Sequence, residues 1–140
     1  MGSWHVAHLI ALGLWGGLVA GEGVVELSSR TNEELRFAAR LHYWMDLCVE
    51  LPLLAAVVTT GAVLAAHAWP LTPLHWAKIV AGGIAVIANL WCVGHVVVRE
   101  RRGANLVELR RQGRMVRLTA AIGLPFAVLA LAIGLAYFMP

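Results

Sequence analysis

The chain has 140 residues, of which 60% are apolar and only 14% charged. That balance excludes an ordinary soluble domain, whose charged share is nearer a quarter. The net charge of +3 rests on arginines gathered into two segments, which points to topology in a bilayer and contact with anionic lipid, with no nucleic-acid partner.

A helix of about 20 mostly apolar residues crosses roughly 30 Å of hydrocarbon. Four such runs follow one another: Ser3 to Leu27, His42 to Ala66, Leu74 to Val98 and Val116 to Met139. The expected architecture is all-α, an integral membrane four-helix bundle forming a single transmembrane domain over 1-140. No basic residue precedes the first run, and it is longer than a signal-peptide core, so it is expected to stay as a helix of the mature protein. On it Gly13, Gly17 and Gly21 recur every fourth residue, a stripe suited to close helix contact or to a homodimer face. His8, Trp15 and Glu22 recur every seventh residue with Glu26 one turn beyond, which places all four on one face.

The second run carries His42, Asp46 and Glu50 at intervals of four, followed by Pro52. The third carries Lys78, Asn89 and His95, and the fourth contains Pro125. Arg30, Arg36 and Arg40 lie between the first two runs, and Arg99, Arg101, Arg102, Arg110, Arg111, Arg114 and Arg117 lie between or flank the last two. Trp4, Trp69 and Trp76 mark the opposite surface. The basic loops are therefore expected on the cytoplasmic side and both termini on the non-cytoplasmic side, as in a bacterial inner membrane. Cys48 and Cys92 lie near that basic end, where thiols stay reduced, and are expected to pack as small apolar groups.

Ionisable residues at membrane depth are costly unless paired, coordinated or hydrated. At about 1.5 Å per residue, Glu22, Glu26, His42, Asp46 and His95 fall near one level in the cytoplasmic half. Glu50 and Asn89 lie one turn deeper. Four acids close together repel unless cations intervene, and carboxylate with imidazole is the donor set of iron, manganese or zinc sites in helical bundles. The expected metal ligands are Glu22, Glu26, His42, Asp46 and His95, with Glu50 placed to support them or carry a proton. Neutralisation by Arg40 and Arg117, or simple protonation, is the competing explanation. His95 lies about 120° from Asn89 and about 100° from Lys78 on an ideal helix, so the third helix cannot aim all three at one axis. Near the opposite surface, His8 and Lys78 share a depth that suits the axial ligands of a haem b, whereas a snorkelling Lys78 and interfacial His5, His67 and His75 would explain the same residues without one.

The segment Leu74-His75-Trp76-Ala77-Lys78, the later Gly94-His95, the arginine-rich loop and Arg114 to Thr119 leading to Pro125 and a helix closing on Pro140 form a recognisable layout, to which His8, Trp15 and Gly17 add. It resembles the HemJ-type membrane protoporphyrinogen oxidases, relatives of CopD-like four-helix membrane proteins. The resemblance implies a haem-b or porphyrin oxidoreductase in which His8 and Lys78 bind haem. The chain departs from that pattern where Gly21-Glu22-Gly23-Val24-Val25-Glu26 replaces a Leu-Pro-Arg-Leu-Phe type segment, and where the second helix carries His42, Asp46 and Glu50. Two functions stand side by side: metal handling or metal redox chemistry at the carboxylate cluster, and haem oxidoreduction at His8 and Lys78. A bundle whose polar residues are purely structural, within a larger complex, is the third. Enzymatic activity is left open.

Overall fold

The computed structural model describes residues 2–102 and 105–138. The described residues form four long helices and no strands: α1 (Ser3–Ser28), α2 (Asn32–His67), α3 (Pro73–Arg102) and α4 (Leu106–Phe138). Each is long and apolar enough to cross a membrane, so the chain is a membrane-spanning helical bundle. Met139, the expected end of the fourth run, and Pro140 lie outside the described residues.

Helices α2 and α4 begin well before their apolar runs. α2 starts at Asn32 rather than His42 because Thr31 and Glu34 form a capping box. The Thr31 hydroxyl accepts from the Glu34 amide at 3.2 Å, and Glu34 Oε2 accepts from the Thr31 amide at 2.9 Å. α4 starts at Leu106 rather than Val116, with the Asn105 side chain accepting from the Val107 amide at 2.9 Å. At 33 residues α4 is about 50 Å long, well beyond the hydrocarbon thickness. The excess is the arginine-bearing end, with Arg110, Arg111, Arg114 and Arg117.

Two hairpins dock side by side. α3 and α4 pair along most of their length, α1 pairs with the second half of α2, and the first half of α2 covers α3 and α4 at the arginine-rich end. Small residues set the α3–α4 approach: Ala81 and Ala85 are buried, and a Cβ placed on Gly123 would lie 3.1 Å from the Ala88 methyl group. The α1 glycine stripe behaves differently. A Cβ on Gly13, Gly17 or Gly21 meets nothing within 4 Å, so the stripe makes no close helix contact inside this chain. α1 instead buries His8, Ala11, Trp15, Glu22 and Glu26, the face marked by the seven-residue spacing. Ala11 and Trp15 pack there against Leu54 and Val57 of α2.

α2 contains one π turn, Asp46–Glu50, closed by the Leu51 amide donating to the Asp46 carbonyl. Pro52 follows immediately. Its ring cannot donate and would crowd the carbonyl four residues back, and a widened turn relieves that crowding. In an α-helix, residues four apart differ by about 40°. A π turn holds more residues per turn, so Glu50 rotates back toward the side of Asp46.

Candidate metal centre

The buried face of α1 meets the His42, Asp46 and Glu50 face of α2 near the arginine-rich end. His42 Nε2 lies 3.4 Å from Glu22 Oε2 and 3.5 Å from Asp46 Oδ1. One donor atom from each of the three residues falls within 4.8 Å of the others. Donors held about 2.1 Å from a tetrahedral ion sit about 3.4 Å apart, so two of these separations already suit a shared cation.

Hydrogen bonding points the same way. Asp46 is 1% exposed, yet no N–H or hydroxyl donor among the described residues reaches either of its carboxyl oxygens or Glu22 Oε1, and the carboxyl groups of Glu22 and Glu50 lie within hydrogen-bonding reach of Asp46. Buried polar atoms are nearly always satisfied, and three orphaned oxygens in one place call for a cation, protons or ordered water. Glu50 lies one turn deeper. Its Oε1 accepts from Trp15 Nε1 at 3.0 Å, and its carboxyl group is close enough to interact with Asp46 and Asn89.

The other residues marked by the sequence go elsewhere. Glu26 is engaged by arginines: Arg99 Nη1 donates to its Oε2 at 2.7 Å and Arg117 Nη1 to its Oε1 at 3.3 Å. Arg99 is fully buried, and Gly113 leaves room for it, since a Cβ there would lie 3.2 Å from Glu26 Oε1 and 3.4 Å from the guanidinium carbon. Neutralisation by arginine therefore applies to Glu26, while Arg40 is exposed. His95 is likewise committed. Trp91 Nε1 donates to its Nε2 at 2.9 Å, which leaves Nδ1 as the donor to Gln112 Oε1 at 2.7 Å and occupies both ring nitrogens.

Near the opposite surface the Thr60 hydroxyl donates to the Ala56 carbonyl at 2.7 Å, so it accepts from His8 Nδ1 at 2.8 Å. With the hydroxyl so directed, the lone pair falls on Nε2, the arrangement of many metal-binding histidines. The ring nests against α2, where a Cβ on Gly61 would lie 3.3 Å from its Cε1. Lys78 is seated against α4, where a Cβ on Gly134 would lie 3.0 Å from Nζ. His8 thus rests against α2 and Lys78 against α4.

A cavity of about 160 Å³ opens beside the cluster, between α1 and the first half of α2. Gly17, Gly21, Glu22, Glu26 and His42 are among its walls. Arg99 escaped the sequence reading because charge in a flanking segment marks orientation equally well whether or not it is buried. The single hint was Gly113 within an otherwise bulky polar helix start.

Fold and site together define a membrane-spanning four-helix bundle with a buried carboxylate–imidazole cluster that can hold a metal ion. Compared with family models, with curated proteins and with solved structures, the chain has no match.

Proposed function

We propose that this protein binds a divalent transition metal in the membrane through Glu22, His42 and Asp46, for metal handling or for metal-based redox chemistry. The observation that carries the reading is the convergence of Glu22 Oε2 and Asp46 Oδ1, at 3.4 and 3.5 Å, on His42 Nε2 at a buried point. Two carboxylates and one imidazole suit iron, manganese or zinc better than copper(I). Trp15 steadies Glu50, which lies beside Asp46 and supports its orientation, as neighbours of metal ligands commonly do. With the arginine-rich loops on the cytoplasmic side, the site lies in the cytoplasmic half of the bilayer. Elemental analysis of purified protein tests the reading. About one metal ion per chain is expected, lost in the Glu22→Ala/Asp46→Ala double variant while the helical circular-dichroism signal persists. A wild type free of metal after exposure to iron, manganese and zinc would refute it.

One contact favours the HemJ-type reading: His8 Nδ1 lies 2.8 Å from the Thr60 hydroxyl, which leaves Nε2 available as a ligand atom. It makes the protein a haem-b or porphyrin oxidoreductase. A Soret band in protein expressed with ample haem, abolished by His8→Ala, is its expected signature. Colourless wild-type protein removes it.

A further inference from the structure

The cavity beside the cluster bears on what the bound ion can do. A structural metal site is closed by protein ligands on all sides, whereas a reactive site has three protein ligands and an open position. Here three donors converge from α1 and α2, and the space next to Glu22 and His42 is a hollow of about 160 Å³ rather than a fourth side chain. At about 30 Å³ per water, it has room beside Glu22 and His42 for a metal-bound water or a small polyatomic ion.

The hollow is kept open by the glycine stripe. Gly17 and Gly21 form part of its wall, and a Cβ at either meets nothing within 4 Å. A leucine at Gly17 would project into free space beside the cluster. Glu26, another wall residue, is neutralised by two guanidiniums, Arg99 at 2.7 Å and Arg117 at 3.3 Å. The small residues on α1 thus acquire a role that helix packing within the chain does not give them.

We infer that the cation held by Glu22, His42 and Asp46 keeps an exchangeable coordination position facing this cavity, and that the position accepts a small anion in place of water. The inference rests on the metal reading above. Its chemistry is ligand substitution alone: one metal–water bond breaks, one metal–anion bond forms, and the oxidation state of the metal is unchanged.

The test uses the full chain in detergent loaded with Co²⁺, whose visible bands report changes in coordination, and azide as the anion. Azide is expected to shift the bands of the wild type and of Gly13→Leu, a substitution on the same helix outside the cavity wall. The shift is expected to be lost in Gly17→Leu with the cobalt still bound. Should Gly17→Leu fail to fold, Gly21→Val makes a smaller intrusion into the same hollow and decides in its place. Cobalt bands that ignore azide in the wild type would overturn the open position while leaving the metal site standing. An azide shift that survives in the folded cavity variant would overturn the cavity as its location. A wild type that takes up no Co²⁺ would sink the metal reading and this inference together.

Discussion

Replacing Glu26 by alanine separates a structural carboxylate from a metal-binding one. Glu26 Oε2 receives a 2.7 Å hydrogen bond from Arg99, whose side chain is wholly buried. Removing the acid leaves a buried guanidinium uncompensated, a change that costs about 3–5 kcal/mol. The second partner matters far less. Arg117 contacts Glu26 at 3.3 Å with 45% of its side chain exposed, so Arg117→Ala should cost less than about 1 kcal/mol. Combining Glu26→Ala with Arg99→Met removes both buried charges and should recover much of the loss, because an apolar pair of similar volume often substitutes for a buried ion pair. Denaturant unfolding in detergent, followed by tryptophan fluorescence and helical circular dichroism, supplies the free energies. The Glu26→Ala protein that remains folded should bind metal as the wild type does. Equal costs for Glu26→Ala and Arg117→Ala would refute the assignment of the buried pair, and a folded Glu26→Ala protein devoid of metal would return Glu26 to the ligands.

A reporter fused to the C-terminus should register on the non-cytoplasmic side, since all ten arginines lie toward the opposite surface; a cytoplasmic signal would invert the depth assignment. Metal affinity should be greatest where the carboxylates and His42 are deprotonated and should fall as pH drops toward about 5, because protons compete for the same donor atoms. Competition with a chelator at several pH values reads this, and a flat profile would contradict carboxylate–imidazole ligation. Pro52→Ala restores a backbone donor, allows the π turn to relax toward α geometry and swings Glu50 away from Asp46. Affinity should then drop by about 10- to 100-fold, the usual effect of disturbing a group that supports a ligand. An unchanged dissociation constant would detach the turn from the site.

The helices were legible because a bilayer imposes one requirement, an apolar run of sufficient length, and the four runs are unambiguous in this chain. Their starts were not, since a segment such as Asn32 to Leu41 is polar on one face and invisible to hydropathy. The Thr31-x-x-Glu34 spacing was the available signal for the true start of α2. Within the cluster, the spacing of four along α2 and seven along α1 foretold which residues share a face, and Glu22, His42 and Asp46 do meet. Glu26 and His95 occupy the expected level but have other partners. Their neighbours, Arg99, Arg117 and Gln112, come from helices whose rotation about their own axes no local pattern reveals. The π turn was similarly hidden: Pro52 announced a disturbance in α2 without specifying its form.

All the donors of the cluster, together with Glu50 and its Trp15 partner, belong to the α1–α2 hairpin, and Asn89 alone reaches in from α3. During synthesis this hairpin emerges first. The three candidate ligands are thus in the membrane before α3 and α4 are in place to enclose them. For that interval three acids and an imidazole are covered only by lipid and whatever water accompanies them. On the metal reading proposed above, capture of an ion at that stage would offset the repulsion among the hairpin's own acids.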